Sequence, residues 1–219
     1  MRPKLQQLGG AAALFEALAY IIGFAFMFTV LQPALQDAAT PAHKLAAILA
    51  MAGWYQAWNI IIYVLFGGFL VLLVVALHER LGQGAPALMK VASAFGIIWS
   101  GLVIATGMIA NVGLSAVGQM HGADPQGATL AWQTLNAVQE GLGGGVELVG
   151  GLWVLLVSVA AQRTGALPTW LNYLGMAIGV TGILTVSPPL GELGAVFGLG
   201  QIAWFAWLGI VMLRSRPVG

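Results

Sequence analysis

Six long apolar stretches, almost free of charge, constrain this chain more than any other feature. They run from about Ala11 to Leu31, Trp54 to Leu77, Val91 to Gly113, Leu142 to Ala161, Trp170 to Ser187 and Gly194 to Leu213. Each approaches the roughly 20 residues that an α-helix needs to cross about 30 Å of hydrocarbon. Helix is the expected conformation, because an open strand cannot satisfy its backbone in lipid and the strict alternation of a barrel strand is missing. Only 7% of the 219 residues are charged, against about 25% in a soluble domain. That is too little polar surface for a soluble globular fold, and it excludes a disordered chain and a nucleic-acid partner. With no Cys there is no disulfide, zinc finger, iron–sulfur ligand or thiol nucleophile. The expected fold is an all-α membrane protein, a six-transmembrane-helix bundle forming one domain over residues 1–219, with the lipid bilayer as its first partner.

The basic residues orient it. Arg2, Lys4, Arg80, Lys90, Arg163, Arg214 and Arg216 fall on one side of the threaded chain, and Lys44 alone falls on the other. By the positive-inside rule both termini face the cytoplasm. Asp37, Asp124 and Glu192 then lie in outer loops and Glu140 at an outer rim. The first apolar run is longer than a signal-peptide core and lacks a clean cleavage site, so it reads as an uncleaved helix. The segment Pro41 to Gly53 reads as a short outer helix, and Leu114 to Asn136 as a turn-rich outer loop. Gly82–Pro86 and Thr164–Pro168 read as tight inner reversals.

Those two reversals end related segments. Gly67 to Gly82 aligns with Gly150 to Gly165 without a gap, sharing a Gly-Gly pair, Val-Leu-Leu-Val and Arg-x-Gly. Both run from outside to inside, so the chain carries a candidate parallel hairpin repeat, a pattern that occurs in transporters. Glycine is abundant within the spans. Gly141 with Gly145, and Gly175 with Gly179, form small-xxx-small pairs. In lipid such pairs permit close backbone approach, either inside the bundle or at a docking face for another subunit.

Two acids lie within spans, Glu16 in the inner half of the first and Glu147 about two turns into the fourth. A charge at the bilayer centre costs at least about 2.5–3.5 kcal/mol on insertion scales, which makes such a residue a functional candidate. No Lys or Arg lies inside any span, so each acid must be protonated, hydrogen-bonded or hydrated. Glu140 and Glu147 are seven residues apart, which places them near one helical face. Asn59, Asn111, Thr181 and Gln201 lie at mid-depth or in the outer half of neighbouring spans. Together these six form the candidate ligand-binding set, an outward-facing polar pocket with Glu147 near its floor. The alternative is a handful of interhelical hydrogen bonds worth about 0.6 kcal/mol each. Glu16 is closer to the cytoplasmic side and can simply reach the interface.

Trp54, Tyr55, Trp58, Trp132, Trp170 and Tyr173 sit near span ends and read as interfacial belts. Trp99, Trp153 and Trp204 lie deeper, against lipid or helices, where a flat ligand could stack. His43, His78 and His121 avoid mid-span positions, so neither a bis-histidine haem nor a membrane di-iron site is expected. No ligand spacing supports a metal, and no nucleophile motif, P-loop or His-Glu-x-x-His is present. No catalytic residue, cofactor or metal is expected.

The stretch Arg163-Thr-Gly-Ala-Leu-Pro168-Thr-Trp170-Leu-Asn-Tyr-Leu-Gly175, together with the opening Leu8-Gly9-Gly10, resembles a bacterial six-helix integral membrane family described only as a domain of unknown function. The resemblance implies the same six-helix layout and an address in the bacterial inner membrane. It brings no activity and no catalytic residues. Members with an Arg and a Glu in the third span differ from this chain, which has neither between Ala94 and Gly107. The expected role is a non-enzymatic integral membrane protein: an accessory subunit with a membrane-protein partner, or a module that binds a small lipophilic ligand. The alternative is a small transporter built around Glu147, proton-linked through that carboxyl.

Overall fold

The computed structural model describes residues 3–144 and 147–214. Arg2, Arg216 and Gly145 lie outside the described residues. Among the described residues every regular element is helical. Five helical runs are long and apolar enough to cross a membrane: Lys4–Leu35, Ala52–Leu81, Pro86–His121, Leu193–Arg214 and Pro125–Thr164, the last interrupted at Gly143. These mark a multi-pass membrane protein. The stretch expected as a fifth span is the apolar helix Thr169–Leu184, whose 16 residues fall short of a full-length crossing.

In finer detail the chain forms α1 (Pro3–Phe26), α2 (Gln32–Leu35), α3 (Pro41–Ala50), α4 (Ala52–Asn59) and α5 (Phe66–Leu81). It continues through α6 (Pro86–His121), α7 (Pro125–Gln139), α8 (Leu148–Thr164), α9 (Thr169–Leu184) and α10 (Leu193–Arg214). Prolines at the first helical positions of α3, α6 and α7 start helices where a missing N–H costs nothing. Thr40 and Asp124 cap α3 and α7 by accepting from the backbone N–H of His43 and Gly127. The αL conformation of Gly165, φ 65°, closes α8.

The main helices pack as a ring. In order, α1, α5, α6, α8, α9 and α10 each lie against the next, and α10 closes on α1. Their shared interior is aromatic: Trp153 and Trp204, fully buried, meet edge to face with centroids 5.7 Å apart, and Phe66, Trp99, Phe197 and Phe205 surround them. Glycines set how close the helices come. A Cβ on Gly151 of α8 would lie 2.7 Å from the Gly179 carbonyl of α9, and one on Gly179 would lie 2.8 Å from the Gly151 carbonyl. Gly175 packs on Ser158 and Trp204, so this pair works inside the bundle, whereas Gly141 faces open space.

The outer connection differs from its sequence reading. Leu114 to Asn136 is no loop: α6 continues to His121, turns at Gly122–Ala123 and returns as α7. The extension persists because residues 114–121 contain no breaker strong enough to stop a helix, and the stop comes from Asp124–Pro125 starting the next one. This hairpin and α3 share a second core of Leu45, Ile48, Leu114, Val117 and Ala128. The opposite end gathers the charge. Gln6 Nε2 donates to the Met212 carbonyl at 2.8 Å and the Arg80 guanidinium to the Ala166 carbonyl at 3.1 Å, tying α1, α5, α10 and the α8–α9 turn together there. Lys4, Arg80, Lys90, Arg163 and Arg214 therefore share one end, and Lys44 of α3 sits at the other.

Candidate ligand cavity

The helices lose regularity at the end opposite the basic residues. π-Helical turns interrupt the chain at Met27–Leu31 and Ile60–Leu65, and a kink at the non-helical Gly143 interrupts it within Glu140–Gly144. Such turns concentrate at functional sites, because the extra residue breaks the regular register of a helical face. All three border one cavity of about 330 Å³, to which they give Met27, Ile62, Tyr63 and Gly143. Exposed Met27, Gly191 and Ala195 bring it to the protein surface. Its walls are otherwise α1 through Tyr20 and Phe24, α4 and α5 through Trp58 and Phe66, α6 through Trp99, and the start of α10.

Glu147 supplies the carboxyl. The sequence places it two turns inside a continuous fourth span, but α8 begins only at Leu148, and Glu147 is its cap residue with φ −90° and ψ 20°. The break is prepared at Gly143, whose φ of 120° an L side chain rarely adopts. Glu140 and Glu147 therefore do not share a helical face, which corrects the spacing argument. Glu140 is exposed and lies outside the cavity lining. The backbone N–H of Glu147 donates to Thr185 Oγ1 at 2.8 Å, and that hydroxyl donates to the Gly182 carbonyl at 2.7 Å. Thr185 is the C-cap of α9, so two helix ends are joined at the acid. The half-buried Glu147 carboxylate has no hydrogen-bond or ion-pair partner among the described residues. Tyr20 and Tyr63 line the same cavity. Among the described residues no Lys, Arg or His lines it.

Of the six residues grouped from sequence, Glu147 alone lines this cavity. Asn59 Nδ2 donates to Asn111 Oδ1 at 3.2 Å, and Asn111 exchanges amide hydrogen bonds with Gln56, Nδ2 to the Gln56 carbonyl at 3.1 Å and Gln56 Nε2 to the Asn111 carbonyl at 3.2 Å. These amides fasten α4 to α6. Thr181 Oγ1 bonds back to the Ile178 carbonyl of its own helix at 2.7 Å. Gln201 is fully buried in the bundle, and neither side-chain polar atom has a hydrogen-bond partner among the described residues.

Two side chains depart from their sequence reading. Trp58, expected in an interfacial belt, is buried, stacks on Phe26 with centroids 5.1 Å apart and lines the cavity. Trp54 and Trp170, at 75% and 74% exposed, do fit a belt. Glu16 does not reach an interface: it is 0% exposed on α1, and neither carboxyl oxygen has a hydrogen-bond partner among the described residues. It lies one turn before Tyr20, whose ring meets Phe66 edge to face at 5.5 Å and lines the cavity. Of the aromatic walls the sequence reading singled out Trp99, as a ring on which a flat ligand could stack, and passed over Tyr20, Phe24, Tyr63 and Phe66. The signal available was Tyr20 with Phe24 and Tyr63 with Phe66, pairs that share helical faces, but lipid-facing pairs look the same.

No curated protein and no solved structure matches the chain. A family model, that of the domain of unknown function DUF4386, matches residues 8–211, from within α1 to within α10, and takes in every residue of the cavity. The chain belongs to the DUF4386 family.

Proposed function

We propose that this protein is a non-enzymatic membrane protein that binds a small lipophilic molecule in the cavity beside Glu147. One observation carries the reading: a cavity of about 330 Å³, walled by aromatic rings and holding one carboxyl without a partner, opens among helices of membrane-spanning character. That volume is at the lower end of the roughly 300–1,000 Å³ of small-molecule sites, which are mostly apolar with a few placed polar groups. A binding module is favoured over an accessory subunit by the cavity itself; of the candidate docking glycines, Gly175 and Gly179 are spent on internal packing and Gly141 faces open space.

The reading includes six crossings, with the basic end cytoplasmic in a bacterial inner membrane, so that the cavity opens to the outside. In this threading the Gly67–Gly82 and Gly150–Gly165 segments are equivalent descending halves of a duplicated hairpin. Filling the cavity tests the function. Protein purified in mild detergent should carry or take up a small apolar compound detectable by mass spectrometry. Ala195→Trp, which places a ring at the exposed mouth, should lose it while melting as the wild type does. Equal binding by this variant and the wild type would count against the site.

A second reading, a small proton-linked transporter, is supported by the break in the fourth apolar run at Glu147. Interrupted helices near the middle of a bundle are a recurrent way to build transport sites. Uptake into proteoliposomes that follows an imposed pH gradient, and is abolished by Glu147→Gln, is the expected outcome. Gradient-independent behaviour of the wild type would leave the binding role alone.

A further inference from the structure

We infer that the ligand of this cavity is an organic monocation with an apolar body, an aralkyl amine or a quaternary ammonium compound, seated with its charge between Glu147 and the surrounding aromatic faces. The inference rests on the lipophile-binding reading and adds the chemical class.

Three observations converge on it. First, the charge inventory of the lining has one sign. Glu147 is its acid, and among the described residues no Lys, Arg or His faces the space. An anionic ligand would be repelled at short range in a setting of low dielectric. A neutral hydrocarbon would cover the carboxyl and leave it without a partner, and an unpaired buried ion or acid is strongly disfavoured. A cation offers the missing partner.

Second, the acid is held as a binding group and not as part of the scaffold. Its backbone N–H is engaged by Thr185 Oγ1 at 2.8 Å, which fixes where the residue sits, while its carboxylate has no partner among the described residues. Structural acids usually satisfy their side chains, and this one directs its fixation through the main chain. Its position at the start of α8, beside the positive-φ Gly143, brings the carboxyl to the cavity wall.

Third, the rest of the wall suits a cation better than a simple hydrocarbon. Tyr20, Phe24, Trp58, Tyr63, Phe66 and Trp99 come to the one space from three helical runs, Lys4–Leu35, Ala52–Leu81 and Pro86–His121. Aromatic faces carry negative potential and attract alkylammonium groups, and cages of such rings recognise quaternary ammonium ligands. Leu and Val dominate the rest of the chain's apolar surface and would serve a hydrocarbon equally well. The volume limits the body to a small ring system and excludes a whole phospholipid.

The experiment is calorimetric titration of the full-length protein in a nonionic detergent with two probes of the same shape. Benzyltrimethylammonium carries a permanent charge, and neopentylbenzene is its uncharged carbon isostere. Each is titrated into wild type, Glu147→Gln and Glu147→Asp, with blank titrations into detergent to correct for micelle partition. The expected result is tighter binding of the cation to wild type. Glu147→Gln should weaken the cation by about tenfold or more, while the hydrocarbon is unaffected and Glu147→Asp keeps most of the preference. If the two probes bind wild type equally well, or if Glu147→Gln binds the cation undiminished, the charge assignment is overturned and the lipophile-binding reading stands. If neither probe binds wild type, both fall. The wild-type comparison decides the matter even should a variant fail to fold.

Discussion

The backbone N–H of Glu147 and the hydroxyl of Thr185 meet at 2.8 Å, and this contact holds the start of α8 to the end of α9 at the wall of the cavity. The hydroxyl also donates to the Gly182 carbonyl, so it satisfies the backbone N–H left over at the start of α8 and adds a bond at the end of α9. Thr185→Val keeps the shape and removes both bonds. We expect a loss of about 1 kcal/mol in stability, measured by thermal unfolding in detergent. Binding in the cavity should weaken as well, because Glu147 loses its anchor. Unchanged binding in a destabilised protein would mean that the carboxyl is positioned by something else.

The Asn59–Asn111 pair should behave differently. It joins α4 to α6 outside the cavity lining, at 3.2 Å, so its value is that of an ordinary amide contact in a membrane bundle. Asn59→Ala is expected to cost about 0.6 kcal/mol and leave ligand affinity where it was. A loss of affinity as large as that of Glu147→Gln would extend the site to the amides and restore the wider polar pocket inferred from depth alone.

The long apolar stretches were legible because oil tolerates only self-satisfied helices, and a composition this poor in charge leaves few other options. The inner reversals were legible from Gly82, Pro86, Gly165 and Pro168. Glu147 was legible because an unpaired acid in a span is costly wherever it points. The break before it was written in the run Gly143–Gly145, but glycine in a span serves packing, unwinding and kinking alike, and the sequence does not say which. Depth along a helix also does not fix azimuth. Asn59, Thr181 and Gln201 share a plausible depth with Glu147, and yet one pairs with an amide, one folds back on its own helix and one is sealed in the core. Most of the aromatic wall was hidden for the same reason, since Tyr20 and Trp58 facing a cavity have the same spacing as Tyr and Trp facing lipid.

Close helix packing gives a sharper test of the fold. Gly151 and Gly179 oppose each other backbone to backbone, and a Cβ on Gly151 would also lie 2.7 Å from the Ile183 amide nitrogen. Neither neighbour is a side chain that can swing away. Gly151→Ala should therefore destabilise by about 1–3 kcal/mol, as overpacking of a tight core does. Gly68→Ala is the control: nothing lies within 4 Å of its would-be Cβ, so it should be neutral or mildly stabilising. Equal effects at the two sites would show that α8 and α9 are not in this contact.

Glu16 separates the binding and transport readings. It is sealed in the bundle with no hydrogen-bond partner for either oxygen among the described residues, one turn before Tyr20, which lines the cavity. Leaving a buried polar group unpaired costs about 1–3 kcal/mol, so Glu16→Met, of similar volume and without the carboxyl, should melt at higher temperature than the wild type. Equilibrium binding in the cavity should be unchanged, because Glu16 lines none of it. If the protein only binds, the variant is simply a more stable version of it. If it moves protons with its ligand, a second acid behind Tyr20 has a use that outweighs its cost, and gradient-driven uptake into proteoliposomes should vanish in Glu16→Met while binding persists. A variant less stable than the wild type would instead place an unseen partner on the carboxyl and remove Glu16 from both accounts.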